Sequence, residues 1–391
     1  MNAKKLFAAG LVAAGMTATL ATTAVAEDFV IGAVSARTGF MAAYDSPFMQ
    51  GVNMYAEEAN KSGGLNGKYP IKVIERDDAS DPQKAAIAIA ELLKNEKMNM
   101  FISSAISPNA IAAGTMVASK NLLIMHTIAS QPTIPARAGG GSYLVMMSDA
   151  HMGGVYGKFA AEDLKAKTAY IVTSDFDPYT EFLPLYFKDM FEKLGGKVVG
   201  QSNFAYDQQE FSKVVSDIKA LPEAPDVIVA MPFDNDFPIF INQLRAAGVK
   251  STYLGPDVLD QPSVKGLGKV VDGVHYVTMA APGQSDSAGN FVKAYEAKFG
   301  NADAYYPAMV GYSAMRMVAA AVAAAGSIEP AAVRDAFGQL ENVDTEIGKA
   351  TFKGAGKAPN LPVHIMRIEG GEGKYVKSIQ LDMAEIPTAK K

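Results

Sequence analysis

The chain has 391 residues, 49% of them hydrophobic, with 36 Lys and Arg against 41 Asp and Glu for a formal net charge of −5, and no cysteine. That length exceeds one core of ordinary size and predicts two domains, while the acidic balance excludes nucleic acid and anionic membrane surfaces as partners. Without cysteine there are no disulfides and no thiolate chemistry, so apolar cores alone must hold the fold.

Residues 1–26 read as a secretory signal peptide: Lys4 and Lys5 precede an Ala/Leu/Val/Gly-rich stretch, and Ala24-Val25-Ala26 supplies the small-residue cleavage pattern before Glu27. Thr17, Thr19, Thr22 and Thr23 interrupt the stretch and argue against a membrane span. No cysteine follows to accept a lipid, so a soluble mature chain is expected outside the cytoplasm, with 34 basic against 41 acidic residues and a net charge of −7. No later segment is expected to cross a bilayer; residues 317–325, the best attempt, read as a short buried helix.

From residue 29 onward, strand-length apolar runs alternate with helical periodicity, the pattern of a parallel-sheet α/β architecture. Strands are predicted over 29–34, 71–74, 98–102 and 122–125, and helices over 47–60, 82–94 and 108–119. Ser46-Pro47, Asp81-Pro82 and Ser107-Pro108 each pair a capping side chain with a proline, and each predicts a helix start. The Gly139-Gly140-Gly141 run reads as a surface loop. A second series follows Ser148: a helix to Leu164, then strands over 169–173, 198–204, 227–231 and 252–254 interleaved with helices over 181–194, 211–220 and 239–247. After a strand over 274–277 come helices over 288–299, 309–325 and 331–340, then strands over 365–368 and 376–381. Helices alone need a sheet to cover, which implies that the chain returns to the first lobe before ending beside the second. Two Rossmann-like lobes with parallel sheets result, 27–147 plus 280–353 and 148–279 plus 354–391, joined by crossings that form a hinge.

Enzyme motifs fail in turn. Gly67-Lys68 runs into Tyr69 and Gly268-Lys269 into Val270, so no phosphate-binding loop forms, and Gly32-Ala33-Val34-Ser35 stands where a dinucleotide fingerprint would follow the first strand. His126, His151, His275 and His364 have no zinc spacing and read as structural residues. The S-x-x-K at Ser216 to Lys219 falls in an amphipathic helix without a K-T-G companion. No enzymatic activity, metal or cofactor is expected. A binding constellation remains. Open α/β sheets bind ligands beyond the carboxyl ends of their strands. Ser103 to Pro108 follows one such end with small hydroxyl residues leading into a helix whose free N–H groups suit a carboxylate, and His126 to Ser130 follows the next. Ser107 as a plain helix cap and Ser130 as a turn residue are the alternatives.

The mature chain resembles the type I periplasmic substrate-binding proteins of ABC importers, specifically the leucine/isoleucine/valine-binding group. The likeness is carried by Thr38-Gly39 with Tyr44, the run from Gly63 to Gly67, the run from Asp77 to Pro82, Ala129 to Pro132, Leu244 to Gly248, Gly255-Pro256-Asp257 and Gly311-Tyr312. The resemblance implies the type I periplasmic binding protein fold with a multi-strand hinge. It implies that Ser107, Ile128 and Ser130 hold a ligand carboxylate, that Asp257 pairs with a ligand ammonium, and that Tyr44, Tyr179, Phe233 and Tyr306 surround the ligand. The implied function is capture of a branched-chain-like amino acid or related small carboxylate by hinge closure, the closed monomer then meeting a membrane permease. Aromatic acids or small amides are the alternative ligands, and a sensory receptor the alternative partner.

The chain departs from that family pattern at several positions. Ser80 and Ile106 occupy the positions that carry a disulfide in leucine-binding members, Ile128 replaces a small Ala, Phe233 a Tyr, and Asp257 a Glu. Arg37 reads as a surface residue that could also bind a second carboxylate. Asp175, Asp177, Asp234 and Asp236 crowd the second-lobe loops, which suits an amine-bearing ligand or a wet rim.

Overall fold

The apolar runs of the first third become β1 (Phe29–Ser35), β2 (Ile71–Asp77), β3 (Met100–Ser103), β4 (Leu123–His126) and β5 (Ser142–Leu144), which pair in the order β2-β1-β3-β4-β5 with every neighbour parallel. A computed structural model describes residues 27–390 apart from 234, 258, 260–263 and 265. The expected leader over 1–26 and Asp234 lie outside the described residues. Four helices connect the strands: α1 (Ala42–Lys61), α2 (Pro82–Asn95), α3 (Ser107–Val117) and the short α4 (Ile134–Ala138). The three-residue β5 and one-turn α4 are too short to register as periodicity.

Of the three predicted cap-and-proline starts, one holds as read. Asp81 accepts hydrogen bonds from the amides of Gln83 (2.8 Å) and Lys84 (2.9 Å) at the head of α2. The other two are corrected. The turn at Gly39 lets the amides of Tyr44 and Asp45 bond back to the carbonyl of Met41, so α1 begins at Ala42 with Pro47 inside it, and the Ser46 hydroxyl donates to the carbonyl of Ala36 instead (3.3 Å). Ser107 is the first residue of α3 rather than its cap, a position taken by Ile106, and it makes no capping bond.

The second sheet draws on β6 (Thr168–Thr173), β7 (Lys197–Asn203), β8 (Val227–Ala230), β9 (Thr252–Gly255) and β10 (His275–Thr278), with α5 (Asp149–Lys158), α6 (Pro178–Lys193), α7 (Ser212–Lys219) and α8 (Phe237–Ala246) between or before them. Then come α9 (Asp286–Phe299), α10 (Tyr305–Ala325), α11 (Pro330–Phe337), the small hairpin β11 (Val343–Thr345) and β12 (Gly348–Ala350), and finally β13 (Val363–Glu369) and β14 (Glu372–Ile379). The order is β14-β13-β10-β9-β8-β6-β7. This sheet is mixed, a correction to the all-parallel expectation: β13 runs antiparallel to β10, and β14 to β13. Gly370 and Gly371, both with positive φ (61° and 81°), form the two-residue turn that reverses the chain.

The stretch between β10 and β13 packs on the first sheet. α10 lies along α1, and α11 meets α10 and β4. Asn99, just before β3, accepts from the Val30 amide (2.7 Å) and donates to the Ile328 carbonyl (2.9 Å), while the Leu144 amide donates to the Lys357 carbonyl (2.9 Å). α10 spans 21 residues and is long and apolar enough by composition to cross a membrane, which corrects the shorter expectation. Its apolar run continues N-terminally through Tyr305 to Met309, and 67% of its most apolar window is buried inside the protein, as in a core helix.

At the α1–α10 crossing two glycines face opposing backbones. A Cβ on Gly51 would strike the carbonyl of Ala308, and one on Gly311 the carbonyl of Phe48. Neither obstacle is a movable side-chain tip, so a methyl must push the helices apart. Gly311→Ala should therefore cost about 1–3 kcal/mol of stability in urea denaturation; an unchanged midpoint would mean that the crossing is not tight.

Candidate functional site

Seven strand ends, four on the first sheet and three on the second, converge on a cavity of about 280 Å³. From the first sheet, Phe40, Met41 and Tyr44 come after β1, Ser80 after β2, Ala105 to Pro108 after β3, and Ile128 to Ser130 after β4. From the second, Phe176, Asp177 and Tyr179 follow β6, Phe233 follows β8, and Asp257 follows β9. All sit beyond carboxyl ends, where an open α/β sheet leaves room for a ligand. Of the sequence candidates, Tyr44, Ser107, Ile128, Ser130, Tyr179, Phe233 and Asp257 line this cavity, and Tyr306 stands one layer behind. The exposed Arg37 is beside Glu75 and not among the lining residues, and Asp175 is exposed. Asp236 is buried elsewhere and accepts from the Asp207 amide (2.9 Å). Among the described residues of that acidic group, Asp177 alone reaches the cavity.

Asp257 is the most constrained polar group in the wall. The Tyr179 hydroxyl donates to its Oδ1 and the Tyr306 hydroxyl to its Oδ2, each at 2.7 Å. Burial pushes its carboxyl above the usual range, and the two phenol donors pull it part of the way back. Tyr306 belongs to α10, which packs on the first sheet, so this bond links the two halves of the molecule. Opposite, the Ser107 hydroxyl is left unused by the helix and is free to face a ligand. Aromatic rings close the mouth: Phe176 stacks on Tyr206 at 3.8 Å, Phe40 approaches Phe176 edge-on at 6.1 Å, and Phe233 packs against both Phe176 and Tyr179. Sequence reasoning passed over Phe40, Met41 and Phe176. It also passed over the pair Asp177-Pro178, in which Asp177 caps α6 by accepting from the Tyr179 amide (2.9 Å), a signal of the same kind as Asp81-Pro82.

The histidines are structural in placement. His126 is buried between the hydroxyls of Ser103 and Ser142, each 2.6 Å away, and burial pushes its pKa down to about 3. Among the described residues no three carboxylate or imidazole groups gather as a metal site.

Residues 29–373 match the family model described as "Periplasmic binding protein". The chain belongs to the periplasmic binding protein family. An "Amino acid binding protein" of Pseudomonas aeruginosa is 25% identical over 350 residues, covering 88% of this chain and 92% of the relative. A leucine binding protein from Thermotoga maritima superposes with a TM-score of 0.79 at 22% identity, over 90% of this chain and 98% of that one. A solute binding protein of R. palustris solved with benzoate gives 0.76 at 22% identity, over 90% and 96%. Membership of a binding-protein family accounts for the missing nucleophile, base and phosphate loop: this is not an enzyme.

In this periplasmic binding protein the lining loops are tied together from beneath by one buried carboxylate. Asp45, in the first turn of α1, accepts from the Ala36 amide and the Ser104 hydroxyl at Oδ2 (2.8 Å each), and from the Ala105 amide (3.1 Å) and the Thr127 hydroxyl (2.6 Å) at Oδ1. Its four donors come from the ends of β1, β3 and β4. Two neighbours continue the pattern: Asp77 accepts from the amides of Arg37, Thr38 and Ala79, and Asp78 from the Ser80 amide and the Asn109 side chain. Ala79 and Ser80 are held at φ of 51° and 58° as a result, a left-handed turn that places Ser80 on the cavity.

Burial outweighs these donors and raises Asp45 from its ordinary 3.8 to about 6. Folding therefore takes up a proton at this site between those two values, so its contribution to stability is complete at acid pH and is lost as pH rises from about 3.8 to about 6. Asp149, raised to about 7, acts with the same sign, so the Asp45 share is the difference between wild type and Asp45→Asn. Denaturation across pH 3.5 to 7.5 should show a shallower slope in the variant, together with a loss of about 1–3 kcal/mol from an amide NH2 facing two of the four donors. Parallel curves would show that Asp45 does not titrate in this window.

Proposed function

We propose that this chain is the solute-binding protein of an ABC transporter, capturing an amino acid or a related small carboxylate between two lobes and presenting the closed form to the membrane permease. The observation that carries the reading is Asp257, its two oxygens fixed by Tyr179 and Tyr306 on one side of a cavity whose other side offers the hydroxyls of Ser107 and Ser130. A zwitterion fits that polarity, its ammonium on Asp257 and its carboxylate at the head of α3, an 11-residue helix whose first N–H groups lack partners within the helix. Ile128, Tyr44 and Phe233 then pack on the apolar part, and Tyr179 and Tyr306 orient the acid. The printed name of the Pseudomonas relative, an amino acid binding protein, supports the same ligand class. The benzoate complex of the R. palustris protein, with the ring-rich mouth here, supports an aromatic acid as the second reading.

Lobes of 27–147 plus 280–353 and 148–279 plus 354–391 carry the two walls. Contacts to both exist only when the lobes meet, so ligand raises the closed population, and exclusion of water strengthens each polar contact. In this reading residues 1–26 are removed on export, and the mature chain acts in the periplasm as a soluble monomer that is not embedded in the membrane. Titration calorimetry with L-leucine and benzoate tests it. Asp257→Ala should weaken L-leucine by about tenfold or more, and benzoate far less, because only the amino acid carries an ammonium. Equal losses would remove Asp257 from the site, and no binding by wild type of benzoate or of any amino acid, neutral or cationic, would overturn the reading.

A further inference from the structure

Resting on the reading of the cavity as an amino-acid site, we propose that its ligand carries a second, side-chain cation, with Asp257 taking the α-ammonium and Asp177 the side-chain charge. The described lining residues include two carboxylates and no Lys, Arg or His. A neutral amino acid would bring one ammonium for two acids, and its own carboxylate would be met by hydroxyls and helix N–H groups rather than by a cation. One acid would then be closed away from water with no counter-charge, the arrangement that costs most.

The placement of the two acids indicates the shape of the missing partner. The Tyr179 amide donates to Asp177 Oδ1 (2.9 Å), and the Tyr179 hydroxyl donates to Asp257 Oδ1 (2.7 Å). The carboxylates thus stand at opposite ends of one tyrosine residue, a separation suited to an α-ammonium and a cation at the end of an aliphatic chain. Between them lie apolar and aromatic surfaces, with Phe176 backed by Tyr206 and flanked by Phe40 and Phe233, which suit a methylene stem and place π-faces near a cation.

A third acid deepens the imbalance. Asp149, at the start of α5, is 0% exposed, and neither of its oxygens accepts a well-aligned hydrogen bond; its amide donates to the carbonyl of Ser130, a cavity residue, and the Ser130 hydroxyl lies beside its carboxyl. Burial chiefly, then the charges of Asp177 and Asp257, push it up to about 7. Asp149 senses both cavity carboxylates, and the described lining residues hold no compensating side-chain cation, so a doubly cationic ligand relieves what a neutral amino acid leaves in place.

Titration calorimetry with L-lysine, L-arginine, L-leucine and benzoate tests this, using wild type and Asp177→Asn. Asparagine keeps the cap of α6, so the variant should fold with an unchanged melting temperature. Lysine or arginine should bind wild type about tenfold or more tighter than leucine, and the variant should lose that advantage while holding leucine within about twofold. Tighter binding of leucine than of either cationic amino acid, or equal losses for all of them in the variant, would overturn the inference and leave the amino-acid reading standing. Binding of benzoate alone would overturn the inference and leave the solute-binding reading with an aromatic acid as its ligand, and binding of none of the four would overturn both.

Discussion

A single carboxylate without access to water organises half of the cavity wall. Asp45 gathers donors from the ends of three adjacent strands, and each donor lies within a few residues of a lining group: Ala36 before Phe40, Ser104 and Ala105 before Ser107, Thr127 before Ile128 and Ser130. Loops at the end of a parallel sheet have no ladder of their own to fix them. Hydrogen bonds to a charged acceptor are roughly twice as strong as neutral ones and directional, so four of them on one anchor define a surface that short loops could not hold alone. The anchor is held against its own desolvation, which is why its pKa rises despite so many donors.

The opposite wall uses the same device in a different setting. Asp257 also has both oxygens occupied, but by phenols from two separate parts of the molecule, Tyr179 beside the second sheet and Tyr306 on the long helix over the first. The bond from Tyr306 exists only while the two halves stand close. This buried acid is thereby tied to the distance between the halves, and any separation of them would strip one donor from it. Asp45 fixes the shape of one wall; Asp257 joins the two halves.

Much of the fold could be read from the chain because its signals are local. Apolar runs of three to seven residues pointed to the strands that became β1 to β4 and β6 to β10, and Asp81-Pro82 marked a helix start that the structure bears out. Ser46-Pro47 carried the same signal and misled, because a backbone turn at Gly39 starts α1 earlier, while Ser107-Pro108 did mark the start of α3 although Ile106 takes the capping position. The antiparallel end of the second sheet was missed, since direction depends on a crossing whose course no local pattern encodes. At the site, the residues placed by the resemblance line one cavity apart from Tyr306 just behind it, whereas Asp45, which precedes the helix predicted from residue 47, carried no signal in the sequence. Its importance comes from burial by three distant strands, and burial is a property of the assembled molecule.

The crossing of α1 and α10 has a consequence for biogenesis. Gly51 and Gly311 are separated by most of the polypeptide, so the first sheet has all five of its strands once residue 144 has emerged, yet the apolar side of α1 stays uncovered until the long helix arrives. Contacts so far apart in sequence are slow to form, and surface left open meanwhile invites association between chains. A chain emerging in order therefore carries a vulnerable intermediate through the synthesis of the entire second sheet's parallel core, and a delay in folding, or a helper that shields that face, is favoured by the order in which this polypeptide is threaded.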